Sequence, residues 1–181
     1  MAAKVPFSEY RDRLAGCWEL YSYKVYKDGQ VSGEPHGDDP RGIAQISRDG
    51  YSSSHLADPA RVKVLQKDRA WSAHTDADVA HYARGISMYC GQIQLFEDEE
   101  GLFWKTTVDI ASDPSRIGGE QIRRVILSEE DGEEVMILRP LNAEANVVRV
   151  IPECTPLQFA CALTSIVGKH IVSPQMAQIP S

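Results

Sequence analysis

The sequence lacks the cysteine and histidine spacings of metal and redox sites. Its four cysteines form no Cys-x-x-Cys motif, and its five histidines are scattered along the chain. A glycine-rich nucleotide loop, a Gly-x-Ser-x-Gly nucleophile turn and a His-Glu-x-x-His zinc motif are also missing. We therefore expect neither a metal site nor a cofactor.

Long apolar runs and an excess of basic residues are missing as well. No stretch is long enough to cross a bilayer, and residues 1–13 contain no apolar core of a secretory signal. Lys and Arg number 19 against 26 Asp and Glu, a net charge of −7, which argues against nucleic-acid and membrane partners. With thiols that are expected to be reduced, these features predict a cytoplasmic protein, either a monomer or a homodimer.

What the sequence does contain is a series of short strands separated by turns. The first follows a turn glycine, Gly16, and opens with Trp18. The predicted strands are 17–27, 42–47, 51–56, 89–96, 102–111, 120–127, 135–139 and 146–151. Short connections between eight such strands favour an all-β fold, an eight-stranded antiparallel up-and-down barrel. We expect one domain over 1–181, with the barrel core at about 14–153.

Three segments outside the strands carry further predictions. Residues 6–14 are expected to form a short N-terminal helical segment. Residues 58–80 are polar and aperiodic, and a loop of this length is typical of a lid over a barrel mouth; a short helix is expected at 76–84. The C-terminal appendage, 156–181, contains an apolar stretch at 157–167 that is expected to form a helix against the barrel.

Several short motifs occur in a fixed order between residues 14 and 139. They are Gly16-x-Trp18-x-Leu20-x-Ser22-Tyr23, Gly33-Glu34-Pro35, Asp39-Pro40-Arg41-Gly42, Asp49-Gly50-Tyr51-Ser52-Ser53, Tyr89-Cys90-Gly91 and Gly119-Glu120-Gln121-Ile122-Arg123-Arg124. The ordered set resembles the lipocalin-like domain family of bacteria and fungi. The resemblance implies a central cavity for a small, mostly apolar molecule, with Trp18 at the closed end. Thr106-Thr107 departs from the His-His pair that this family often carries.

The two-residue period of strands predicts which side chains face the cavity. If Trp18 points inward, Leu20, Ser22 and Lys24 follow it. In the strand at 102–111 the inward set includes Trp104, which would offer a flat surface to a ring system; a plain core aromatic is the alternative. The predicted substrate-binding residues are Leu20, Ser22, Ser53, Tyr89, Trp104, Thr106 and Val108.

One polar face is a candidate for catalysis. Tyr51, Ser53 and His55 share one side of a strand, and histidine is well suited to move a proton near neutral pH. We assign His55 as the acid/base if this face lines the cavity, and Tyr51 or Tyr89 as a hydrogen-bond donor. The alternative is that the face lies outside, in solvent.

Adjacent arginines are the second catalytic candidate. Arg123 and Arg124 must face opposite sides of their strand, so that only one points inward. An inward arginine needs a carboxylate partner, for which Asp109 and Glu120 are candidates, or an anionic ligand. A ladder of surface ion pairs is the alternative.

These features predict a small-molecule protein of one of two kinds. The first is a cofactor-independent cyclase or isomerase of secondary metabolism that acts on an apolar polyketide- or terpenoid-type intermediate. Its barrel would hold a flexible substrate near its reactive conformation, and Arg123 or Arg124 would stabilise charge. The alternative is a non-catalytic binding or carrier protein for a small hydrophobic ligand.

Overall fold

The computed structural model describes residues 1–28, 30–62, 68–130, 132–141 and 146–152, with the backbone alone at 133 and 146–152. The strands are β1 (Ala3–Val5), β2 (Gly16–Lys27), β3 (Gln30–Gly33), β4 (Arg41–Ile46), β5 (Tyr51–Ala57), β6 (Ile86–Asp98), β7 (Gly101–Ala111), β8 (Glu120–Glu130), β9 (Glu133–Pro140) and β10 (Asn146–Pro152). The helices are α1 (Phe7–Leu14), α2 (Pro59–Val62) and α3 (Asp76–Ala83), and 3₁₀ turns occur at Trp71–Ala73 and Pro114–Arg116.

Eight antiparallel strands close into a ring. The order around it is β2, β4, β5, β6, β7, β8, β9 and β10, and β10 pairs again with β2. The predicted all-β, eight-stranded antiparallel barrel is confirmed. Two short strands were not predicted: β1 pairs with β6 beyond the end of β5, and β3 forms a hairpin with β2.

A compact apolar core fills one end of the barrel, which we call the closed end. Trp18 is 3% exposed, and its indole Nε1 donates to the Leu14 carbonyl at 3.0 Å. Leu14 is fully buried at the end of α1, so this helix covers the closed end. The buried cluster consists of Leu14, Trp18, Leu20, Ile46, Ile93, Leu95, Trp104, Val125 and Met136. The opposite end, where the β3–β4, β5–β6 and β7–β8 connections lie, is the mouth.

A β-bulge in β2 changes which residues face inward. Leu20 is opposite Val150 and Ser22 is opposite Arg149, so Tyr21 is an extra residue, and it is 62% exposed. Beyond the bulge it is Tyr23 that packs against the core. The predicted inward phase through Ser22 and Lys24 is therefore wrong beyond Leu20, because a bulge reverses the alternation of a strand.

The predicted helices at 6–14 and 76–84 are confirmed as α1 and α3. Thr75 caps α3 by accepting a hydrogen bond from the Asp78 N–H at 3.2 Å. The helix predicted at 157–167 and the appendage at 156–181 lie outside the described residues. Of the helices that the described ranges contain, none has the length and apolar character needed to cross a membrane.

Among the described glycines, Gly91 of β6 has the least room for a side chain, and it lies next to the bulge where β6 pairs with β7. A Cβ at this position would lie 1.8 Å from the Thr107 carbonyl oxygen. We predict that Gly91→Ala lowers the free energy of unfolding by about 3 kcal/mol, because backbone must move to admit the methyl group. Gly33→Ala is the control, since its Cβ would meet nothing within 4 Å. Denaturant titration of both variants checks this, and equal stability of the two would contradict it.

Candidate functional site

The pairing register assigns each side chain of β5 to the inside or the outside. Directly opposite residues of an antiparallel pair share a face. Ser54 lies opposite Ala44, which packs against the core, and Ser52 lies opposite the buried Ile46. Ser52 and Ser54 therefore face inward, and their hydroxyls donate to β6 carbonyls at 3.2 and 3.3 Å.

It follows that Tyr51, Ser53 and His55 lie on the outer face of the barrel, which corrects the expectation that they line the cavity. His55 is exposed, and its Nε2 lies 2.9 Å from the Ser53 hydroxyl. The Tyr51 hydroxyl donates to Cys90 Sγ at 3.3 Å, and hydrogen bonds to Cys90 and Asp109 raise its pKa. The acid/base role assigned to His55 required an inward position and is lost with it.

The adjacent arginines separate as expected, and the structure shows which one faces inward. Arg123 lies opposite the buried Trp104, whereas Arg124 lies opposite Phe103 on the outer side. Arg124 is anchored there by Asp98 at 2.7 and 3.0 Å and by Glu100 at 3.2 Å. These ion pairs raise the pKa of Arg124. The side chain stabilises the β6–β7 hairpin and does not line the interior.

The inner wall of β7 carries two polar atoms without a partner. Trp104 is 3% exposed and Thr106 1%, and within the described ranges neither the indole Nε1 nor the Oγ1 has a hydrogen-bond partner. Most buried polar groups in proteins are paired, so two neighbouring unpaired groups on one face make this wall a candidate for contact with a ligand. Leu20 and Val108, also predicted to bind substrate, are buried in the barrel.

A polar group of six residues lies beside this wall, on β8, and at the mouth. We call it the mouth cluster, and its members are Tyr23, His36, Tyr89, Arg116, Gln121 and Arg123. Gln121 Oε1 accepts from Arg116 at 2.9 Å and from Arg123 at 3.2 Å, so two guanidinium groups meet at one oxygen. The Arg116 guanidinium also lies over the Tyr89 ring, 4.6 Å from its centroid. Neither arginine forms an ion pair with any carboxylate in the part of the chain that the structure describes.

Tyr23 and His36 complete the mouth cluster on the other side. Their rings meet edge to face with centroids 5.1 Å apart. Burial raises the pKa of Tyr23, while the nearby charges of Arg123 and Arg116 oppose this rise. Burial lowers the pKa of His36, against a hydrogen bond to the backbone of Gly85 and the charge of Asp58. The lowered pKa keeps the imidazole neutral near pH 7, and its Nδ1 is buried without a partner among the described residues.

The structure thus brings together Arg123, Tyr89, Trp104 and Thr106, four of the predicted site residues. Sequence reasoning missed Tyr23, His36 and Arg116. Tyr23 was hidden by the bulge, and the other two lie in connections, where no strand period applies. Of the predicted partners of an inward arginine, Glu120 pairs instead with Lys105 at 3.7 Å. Lys24 pairs with Glu34 at 3.6 Å, as a rim charge.

Metal binding finds no support in the described ranges. They contain no group of three or more His, Cys, Asp and Glu residues that could hold an ion. The site offers aromatic rings, hydroxyls, an amide, an imidazole and two guanidinium groups to a ligand.

Neutral His36 makes the folded state sensitive to acid. Because its pKa in the folded protein lies below the ordinary 6.5, the unfolded chain takes up its proton first as the pH falls. We predict that melting temperature drops from about pH 7.5 to about pH 5.5 and that His36→Gln makes this drop smaller. His81→Gln, at an exposed histidine, is the control and should keep the wild-type drop. An unchanged drop in His36→Gln would contradict the burial of a neutral imidazole.

Comparison with known proteins agrees with this architecture. No curated protein and no solved structure matches the chain significantly. A family model, described as a lipocalin-like domain, matches residues 15–151. This match spans every strand of the closed ring and covers well over half of the chain. The fold of this family suggests ligand binding, and the chain belongs to the lipocalin-like domain family.

Proposed function

We propose that the protein binds a small, mainly apolar molecule inside the barrel and donates hydrogen bonds to it from Trp104 and Thr106. The observation that carries this proposal is the pair of unpartnered polar atoms on the inner wall of β7. A bound carbonyl or hydroxyl oxygen next to this wall would accept from both.

Energetics favour an occupant at this wall. Leaving a buried hydrogen-bond donor unpaired costs about 1–3 kcal/mol, and a ligand acceptor removes that cost. The inward residues Ala44 of β4 and Ser52 and Ser54 of β5 are small, so they take up little of the interior. The hydroxyls of both serines are already bonded to β6 carbonyls and do not compete for the ligand.

The character of the surroundings indicates an apolar ligand body. Leu20, Val108 and Leu138 flank the β7 wall or pack against the same core. An apolar lining with a few oriented polar groups is typical of a small-molecule site. The same arrangement serves a carrier without chemistry, which is the simpler form of the proposal.

Matched substitutions on β7 test the hydrogen bonds. Thr106→Val keeps the shape of an inner side chain but removes its hydroxyl, while Thr107→Val makes the same change at an exposed position of the same strand. With methyl decanoate as a neutral probe, we predict that Thr106→Val and Trp104→Phe weaken binding about 2- to 10-fold each in calorimetric titrations. Thr107→Val should bind like the wild type.

Stability provides a second readout for Thr106→Val. Removing an unpaired buried hydroxyl should leave the ligand-free protein as stable as the wild type or more stable, by up to about 1 kcal/mol. Weaker binding in a variant that is no less stable supports the proposed contact. Equal binding by Thr106→Val and Thr107→Val, or no saturable binding by the wild type, would contradict it.

A second candidate function, a cofactor-independent cyclase or isomerase acting on a polyketide- or terpenoid-type intermediate, is supported by His36. Its neutral imidazole has an unpartnered Nδ1 and touches Tyr23 at the mouth cluster. An imidazole in this state can accept a proton, and a tyrosine hydroxyl can return one. The acid/base role that the sequence suggested for His55 would then belong to His36.

The cytoplasmic location and the monomeric or homodimeric state stay predictions.

Extracts of the producing cells can separate the enzyme from the carrier. We predict that an enzyme converts a compound to an isomer of equal mass and different retention time, and that His36→Gln slows this conversion at least about 10-fold. His81→Gln is the control. Release of the bound compound unchanged from the wild type would contradict the cyclase or isomerase and leave the carrier.

A further inference from the structure

We propose that the mouth cluster is a carboxylate site: Arg116 and Arg123 together bind the carboxylate of an otherwise apolar acid whose body extends toward Trp104. This inference rests on the proposed function, since it concerns one end of the same ligand. It adds that the ligand carries a negative charge and that this charge lies at the mouth cluster. Binding of an apolar molecule inside the barrel does not by itself require such a charge.

The two arginines of the mouth cluster lack a counter-charge among the described residues. Two guanidinium groups converge on Gln121 Oε1, at 2.9 and 3.2 Å, and this oxygen is neutral. The other carboxylates near β8 are engaged elsewhere, Glu120 with Lys105 and Asp98 with Arg124. Hydrogen bonds from Ser115 lower the pKa of Asp113, and the charge of Arg116 contributes to this lowering, but Asp113 and Arg116 form no ion pair.

Without an anion, this pairing of two arginines costs free energy. Both arginines are half-buried, where solvent screens their mutual repulsion less than at the surface. Their remaining N–H groups need acceptors, and among the described residues Arg123 donates only to the Ile122 carbonyl besides Gln121. A bound anion would both cancel the repulsion and accept these hydrogen bonds.

The shape and charge of the mouth cluster favour a carboxylate over other anions. A planar carboxylate matches the fork of a guanidinium group, and one negative charge suffices between the two arginines. The chain itself carries a net charge of −7, which disfavours ligands with several negative charges. Tyr23 lies near both guanidinium groups, and because its pKa is raised its hydroxyl stays protonated and can donate to the same carboxylate.

The position of the mouth cluster determines the orientation of the ligand. Arg123 lies directly opposite Trp104 across the β7–β8 pair, and Gln121 lies opposite Thr106. Arg116 belongs to the β7–β8 connection at the mouth. The carboxylate would therefore lie between the two arginines and Thr106, where the β7 donors can also bond to it, and the apolar body would extend along the inner wall toward Trp104.

The test compares decanoate with methyl decanoate, which has the same chain and no charge. Calorimetric titration of the wild type should show decanoate binding at least about 10-fold more tightly. In Arg123→Met and Arg116→Met this ratio should fall at least about 5-fold, toward equal binding. Arg139→Met is the matched control, because Arg139 is exposed and lies opposite Arg124 on the outer side.

Because the measured quantity is a ratio within each variant, a general loss of folding or binding does not mimic the expected result. An unchanged ratio in both arginine variants, equal binding of acid and ester by the wild type, or tighter binding of decyl phosphate than of decanoate would overturn the carboxylate site. In each of these cases the proposed function stands if ester binding still depends on Thr106. Failure of acid and ester alike to bind the wild type would overturn both.

Discussion

Closure of the hydrogen-bonded ring is the constraint on which the rest of the structure depends. Once β10 pairs with β2 and β6 pairs with β7, every strand has one side toward a shared interior and one toward the outside. A side chain then has two environments available, and its register decides between them. The separation of Arg123 from Arg124 follows directly, because the two are neighbours on one strand.

Along its axis the interior changes from apolar to polar. Trp18 and Leu14 fill the closed end, where the Trp18 indole donates a hydrogen bond to the Leu14 carbonyl. Trp104 and Thr106 follow with unpartnered donors, and the mouth cluster holds the charge. A molecule with an apolar body and one polar end would match this order. On the outer face, charged side chains form ion pairs. Among the ion pairs given for the described residues, Arg124 with Asp98 is the most buried.

The sequence predicts the barrel well, because strand alternation and turn residues are local signals. It predicts the site less well, because the direction of a side chain depends on register and bulges. One extra residue, Tyr21, turns Tyr23 inward in place of Ser22 and Lys24. The phase of β5 was undetermined, since serines line both of its faces and no apolar residue marks the inner one until Leu56. Arg116 and His36 come from connections, whose approach to the strands is a tertiary result.

The most direct test of an interior ligand site uses the three indole N–H signals of the protein in a nitrogen–proton correlation spectrum. Trp18 already donates to Leu14, Trp71 is 54% exposed, and Trp104 has no partner among the described residues. On addition of methyl decanoate, the indole proton of Trp104 should move downfield as it gains an acceptor, while that of Trp18 stays in place. A Trp104 signal that does not move at saturating ligand would contradict a site inside the barrel.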